Sequence, residues 1–358
     1  MNFDDARAQF PVLERLAYLN AGSMGPLARA TVEAMVAREQ SDLERGRGGR
    51  AYIDEMRSLR ERVRAGLAGV LGVDAGAVAL TTSTTEGCNI VLAGLELAPD
   101  DEIVTTDVEH FGLLGPLQAS GATIRVARIR ALPPEEALGA ILAETGPRTR
   151  LLALSHVSWL TGNLLPLEEL REEAQLPMLV DGAQSAGTIP IDASNYDYYT
   201  LSAQKWLCGP DSTGALYVRD PERLRVALPT YFSQDGHDEA GAYVPRAGAA
   251  RFDGGWIPTA SLAGVEAALG TVPHWAFRHA SEIAARCWAL LSERFRVVTA
   301  PGQATLVSFV PEASAADEAA RLHEQGIVVR DMPGTGWLRV SCGWWTSDGD
   351  LERLLEAL

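Results

Sequence analysis

PMLVDGAQSAGTIPIDASNYDYYTLSAQKWLCGPDSTGALYVR, residues 177–219, decides the fold. It holds three strand candidates: PMLVDG (177–182), YDYYTLS (196–202) and TGALYVR (213–219). Such nearly continuous apolar, aromatic and β-branched runs suit strands buried on both faces of a mainly parallel sheet. Upstream, AVALTT (77–82), EIVTTD (102–107), TIRVARI (123–129) and RLLALSHV (150–157) read the same way. Helical patterns lie between them at 86–95, 133–145 and 167–174. This βαβα alternation predicts an α/β protein with a mainly parallel, seven-stranded sheet flanked by helices.

Working outward, TVEAMVAREQSDLERG (31–46) and AYIDEMRSLRERVRAGLAGVLG (51–72) read as long helices before the sheet. Beyond residue 260 the texture changes. Two helical stretches lead into TLVSFVP (305–311), IVVRDM (327–332), WLRVSCG (337–343) and a last helix, 347–358. This α+β pattern predicts a smaller C-terminal domain. The expected division is 21–260 for the large domain, with 1–20 and 261–358 forming the small one. The glycine-rich run from Gly236 to Trp256 reads as a long loop, of the kind that lines sites.

Lys205, in the same decisive segment, is the only lysine among 358 residues, against thirty arginines. Codon bias towards arginine explains losing lysine from a surface where either cation serves. It does not explain keeping one. An amine can deprotonate and attack a carbonyl, whereas guanidinium stays protonated. Lys205 follows a strand, where α/β sheets bind ligands, and Trp206 and Leu207 flank it with apolar surface that lowers its pKa.

Other residues share that setting. Asp181 ends the strand PMLVDG, placed for a buried ion pair or, on the plainer reading, a turn or cap. Gln184 follows three residues later. TTSTTEGCNIV (81–91) is a hydroxyl-rich strand-to-helix junction. Its free amides, with Thr84 and Thr85, suit a phosphate, although Ser/Thr before Glu is also an ordinary capping box. His110 follows another strand and is either a stacking imidazole or a structural residue. Arg339, a cation in the apolar pattern WLRVSCG, needs a partner. A ligand carboxylate or a structural acid would serve equally.

Composition excludes several classes. A net charge of −16 argues against nucleic acid or an anionic membrane as partner. No apolar run reaches the roughly 20 residues of a membrane span, and the N-terminus lacks a secretory pattern. A soluble cytoplasmic enzyme is the expectation. Cys88, Cys208, Cys287 and Cys342 form no CxxC pair and no zinc spacing, so neither a disulfide scaffold nor a metal site is expected.

Taken together, these segments resemble the class V aminotransferase family of fold-type I pyridoxal-phosphate enzymes, from YLNAGSMGPL (18–27) to VSCGWWTSDGDLERLL (340–355). VDGAQSAGTIPID (180–192) and QKWLCGPDSTGALYVR (204–219) carry most of the likeness. SHVSWLTGNLLPL (155–167) is similar to the isopenicillin-N-epimerase-like and cystine C–S lyase-like branch, which is related to cysteine desulfurases. The resemblance implies pyridoxal 5'-phosphate as cofactor, with Lys205 as the Schiff-base lysine and Cα proton shuttle. It implies that Asp181 pairs with the pyridine nitrogen, Gln184 approaches the phenolic oxygen and His110 stacks on the ring. Thr84, Thr85, Ser202 and Gln204 would hold the phosphate. Arg339 would hold the substrate carboxylate near Asn20 and Ala21. Trp159, Tyr231 and His237 are candidates for the side-chain pocket. A homodimer with its site at the interface is also implied.

The sequence departs from the family in three places. Gln204 stands where histidine usually precedes the lysine. Trp256 stands where RFxxGT-like motifs place a threonine that reaches the partner's phosphate. No cysteine precedes the Arg339 strand in VVRDMPGTGWLRV (328–340), which disfavours persulfide chemistry of the desulfurase kind.

The implied activity is amino-acid chemistry through an external aldimine, either transamination or cysteine/cystine-type C–S lysis. The alternatives are epimerisation and a non-catalytic, cofactor-binding regulatory protein. A dinucleotide enzyme is disfavoured, because no GxGxxG follows an early strand.

Overall fold

The computed structural model of the chain describes residues 1–358. Its main sheet has seven strands: Val78–Thr81, Glu102–Thr106, Thr123–Ala127, Thr149–Ser155, Met178–Asp181, Tyr198–Ser202 and Gly214–Val218. Across the sheet they run, by first residue, Val78, Gly214, Tyr198, Met178, Thr149, Glu102, Thr123. All neighbours are parallel except Gly214–Val218, which is antiparallel to both of its own. Every residue of the 78–81, 102–106, 178–181 and 214–218 strands is buried. Those are the strands whose apolar runs lack alternation. The edge strand Thr123–Ala127 is largely open to solvent.

A second sheet is antiparallel and ordered Arg296–Val297, Leu306–Val310, Trp337–Ser341, Arg330–Met332. IVVRDM, expected as one strand, divides in two. Ile327–Val328 pairs in parallel with Ala17–Tyr18, and Arg330–Met332 pairs with Trp337–Ser341. The first pairing stitches the N-terminal segment to this sheet. The expected loop at 236–256 also carries structure: Gln234–His237 and Tyr243–Pro245 form a hairpin. Asp238 Oδ1 accepts from the N–H groups of Ala240 and Ala242, and Gly241 takes a left-handed φ of 86° to close the turn. No helix is long and apolar enough to cross a membrane.

The long helix Arg50–Leu71 buries Met56, Leu59, Val63, Leu67 and Leu71 on one face. On that face Arg60 and Arg64 both reach Asp253, at 2.9 and 2.8 Å, and Asp253 also accepts from Leu80 N. Burial works against the Asp253 charge. Hydrogen bonding to Arg64 and the charges of Arg64 and Arg60 outweigh it and hold the carboxyl below its ordinary value. Its stabilisation is therefore complete above the unfolded carboxyl's pKa and fades as pH falls through the lower folded value. Asp253→Asn removes the one acid on Arg60 and one of the two on Arg64, whose Nε keeps Glu61 at 3.0 Å, and should cost about 3–5 kcal/mol at neutral pH. Urea unfolding would show it. A midpoint equal to the parent's would remove this tie from the account.

Candidate active site

The strand directions gather the site at one edge of the main sheet. Asp181 and Ser202 are the last residues of neighbouring parallel strands. Glu109 and His110 follow the end of Glu102–Thr106, and Thr84 opens the helix Thr84–Gly94 just after Val78–Thr81. Lys205 lies three residues beyond Ser202. This is the carboxyl edge of an open α/β sheet, where side chains converge with little backbone in the way.

Lys205 and Asp181 are close enough to act on each other electrostatically. Burial lowers the lysine pKa to about 8. The Asp181 charge opposes that shift, while Arg339 and Arg330 reinforce it. Burial pushes Asp181 above its ordinary value, opposed by Lys205 and by the N–H of Ala183, which donates to Oδ1 at 2.9 Å. The result is an amine that is readily neutral, beside a carboxylate that lacks a full counter-charge.

An anion cradle adjoins them. Ser202 Oγ accepts from Thr84 N at 2.9 Å and lies 2.6 Å from Thr84 Oγ1. Ser83 caps the helix through Glu86 N, but the Glu86 carboxylate accepts from Thr82 rather than from the Ser83 N–H, so the cap is present without a full capping box. The N–H of Thr85 has no acceptor within the protein. Gln204 Oε1 is buried and has no partner. Amide oxygen and nitrogen exchange by a half-turn, so this side chain can equally offer an N–H to an anion.

His110 Nδ1 accepts from Gly112 N at 3.0 Å and caps the helix Phe111–Ala119. Burial, then the charges of Lys205, Arg330 and Arg339, lower its pKa to about 4, so the ring is neutral with its proton on Nε2. Trp159 meets it edge-on at 4.8 Å, and Trp159 Nε1 is another buried donor without a partner. Gln184 Nε2 donates to Gly22 O and its Oε1 accepts from Trp206 Nε1, both at 2.9 Å. One N–H of Gln184 therefore remains free.

Arg339 is 1% exposed and has no acidic partner. Its Nη1 donates to Trp159 O at 2.9 Å, its Nη2 to Ser23 Oγ at 3.4 Å, and its Nε to nothing. Burial and the neighbouring Arg330 lower its pKa to about 9. Asn20 Oδ1 accepts from Ser23 Oγ at 2.8 Å, and Ala21 is buried beside it.

Three residues escaped the sequence reading. Arg330 pairs across the strands with Arg339 and also lacks an acid. Ser23 touches both arginines. Glu109 is buried, accepts from Thr106 Oγ1 at 2.6 Å, from Ser155 N at 3.0 Å and from Ser155 Oγ, and is pushed up to about 7 by burial. Its position directly before His110 was the available signal.

Tyr231 is not brought to Lys205. It stacks on Trp256 at 6.1 Å and lines a separate cavity of about 280 Å³ with Arg57, Arg60 and Arg246. That placement follows from a short turn, Tyr231–Ser233, in which Phe232 packs over Arg60. His237 is exposed on the hairpin. All four cysteines are buried, and Cys342 lies in the core of the second sheet beside Cys287.

Residues 18–346 match the family model described as aminotransferase class-V. Isopenicillin N epimerase of Streptomyces clavuligerus is 29% identical over all of this chain and 98% of its own length. A probable cysteine desulfurase of Pseudomonas aeruginosa is 33% identical over 78% of this chain and 77% of its own. Among solved structures, the cystine C–S lyase C-DES, in complex with its product cysteine persulfide, superposes with a TM-score of 0.91. It is 30% identical, over 97% of this chain and 98% of that one. A C-DES variant with glycine linked to its PLP cofactor superposes at 0.90.

Proposed function

Because this chain belongs to the class-V aminotransferase family, we propose that it is a pyridoxal-phosphate enzyme that cleaves the C–S bond of a cysteine- or cystine-type amino acid by β-elimination. The observation that carries the amino-acid reading is Arg339: a buried guanidinium with no acid, beside a neutralisable lysine and a free carboxylate. The donor set fits the cofactor. Lys205 is the amine that holds it covalently. Asp181 would offer an oxygen to the ring nitrogen, with neutral His110 beside the ring. Thr84, Ser202, Gln204 and the N–H of Thr85 would hold the phosphate, and the free N–H of Gln184 would be available to the phenolic oxygen.

When bound, the cofactor supplies an electron sink for charge at the substrate's Cα. Asp181 holds a proton on the ring nitrogen through a charge-assisted hydrogen bond. Arg339 and Arg330 grip the substrate carboxylate and set the direction of the Cα–H bond. Lys205, once free, removes the Cα proton, and the electron pair of the breaking C–S bond leaves with sulfur. The thiols nearest the site are Cys208, whose N–H donates to Lys205 O at 3.1 Å, and Cys88; both are buried and burial pushes both up, which favours direct elimination over transfer to an enzyme cysteine.

The test is product analysis of the holoenzyme with L-cystine. Pyruvate and cysteine persulfide formed without a keto-acid acceptor support the lyase. Turnover only with an added keto acid replaces it with transamination, and racemised amino acid alone replaces it with epimerisation. Arg339→Ala should raise KM about 100-fold with a smaller change in kcat, because two charge-assisted hydrogen bonds to carboxylate are lost. An unchanged KM would place the carboxylate elsewhere.

The protein is further proposed to act as a homodimer. Phe111, directly after His110, is 77% exposed, and Trp256 is 59% exposed. Large exposed apolar side chains point to a second copy. Sedimentation at a monomer's mass across micromolar concentrations would reject that.

A further inference from the structure

Building on the amino-acid reading above, we propose that Ser23 is a positioning residue for the substrate carboxylate. Its hydroxyl gathers the guanidinium groups of Arg330 and Arg339 onto one oxygen and so fixes the fork that receives the ligand. Arg330 Nη1 donates to Ser23 Oγ at 2.8 Å and Arg339 Nη2 at 3.4 Å. The hydroxyl's own proton goes to Asn20 Oδ1 at 2.8 Å. Its lone pairs are thereby both turned towards the arginines.

Two like charges on adjacent strands repel, and a carboxylate is the usual group to sit between them. Here a neutral oxygen takes that place. It orients both cations without cancelling either, and the uncancelled charge is left for the ligand.

The loop that carries Ser23 is held on three sides. Gly22 O accepts from Gln184 Nε2 at 2.9 Å, and Gly22 N donates to Ser341 Oγ at 3.2 Å. Gly25 N donates to Gln204 O at 2.8 Å. Contact is so close that a Cβ on Gly22 would lie 2.7 Å from Arg339 Nη2, and one on Gly25 would lie 2.0 Å from Lys205 O. Ser23 is thus registered against both the arginine strands and the lysine segment. Through it the spacing between carboxylate fork and amine is set.

The experiment titrates the visible band of the holoenzyme with glycine and with glycinamide. These probes have no side chain and differ only at the carboxylate. Ser23→Ala should weaken glycine about tenfold, the value of one hydrogen bond to a charged group, and leave glycinamide unchanged. Ser23→Thr should restore glycine binding. Ser23→Asp supplies an internal carboxylate and should abolish the glycine response while sparing glycinamide. An intact band in each variant shows that cofactor is bound.

Equal glycine affinity in Ser23→Ala and the parent overturns the proposal. So does parallel weakening of both probes, which marks a merely structural hydroxyl. A parent enzyme whose band answers neither probe, or answers both equally, overturns the underlying amino-acid reading as well. The two failures are therefore told apart by the parent alone.

Discussion

Lys205→Ala is expected to lower turnover by about 10⁴-fold and to remove the visible absorption band of the bound cofactor, with far-ultraviolet circular dichroism unchanged. The size follows from two losses in one side chain: the covalent anchor and the base that takes the Cα proton. No second amine can substitute, because the chain has no other lysine. The same residue sets a pH dependence. With its pKa lowered to about 8, roughly one amine in ten is neutral at pH 7, against about one in a few thousand for an ordinary lysine. Cofactor capture by the apoprotein should therefore accelerate as pH rises and level off above about 8. A rate still climbing in proportion to hydroxide at pH 10 would contradict the lowered value. A band retained in Lys205→Ala would dismantle the site assignment.

Asp181→Asn is expected to reduce turnover by about 10²- to 10³-fold, the scale on which removing one preorganised electrostatic partner acts. The variant keeps the shape and loses the charge that holds a proton on the ring nitrogen. KM should change little, since Asp181 does not meet the carboxylate. Burial raises this carboxyl's pKa, so its ionised form works against folding as pH rises above the unfolded value. The apo form of Asp181→Asn should accordingly melt higher than the parent apoprotein at pH 7. Slower catalysis with higher apo stability is a signature that a damaged structural residue would not give. Lower stability with intact turnover would reverse the assignment.

The main sheet was readable because its strands are buried on both faces. Seven apolar runs appear in the sequence, and each overlaps one observed strand, that at Thr149–Ser155 beginning one residue before its run. Lys205, Asp181, Ser202 and Thr84 were readable for a related reason: they sit at strand ends, and strand ends of a parallel sheet meet along one edge. The helix Phe111–Ala119 was not found. Gly112, Gly115 and Pro116 give it poor helical propensity, and it exists because His110 caps it and Leu113 and Leu117 are buried. Ser23 and Arg330 were hidden for a different reason. They meet across 307 residues of chain, through a strand register that no local pattern encodes. Tyr231 is a pocket candidate only as part of the 228–248 loop, and its short turn carries it to another cavity.

The lone guanidinium of Arg339 makes the resting protein softer than its filled form. Any small acid that seats against it relieves an uncancelled charge in a dry interior, and mass action turns that relief into heat resistance. Amino acids can therefore be ranked as ligands by how far each shifts the melting curve, with no product measured and no reaction completed.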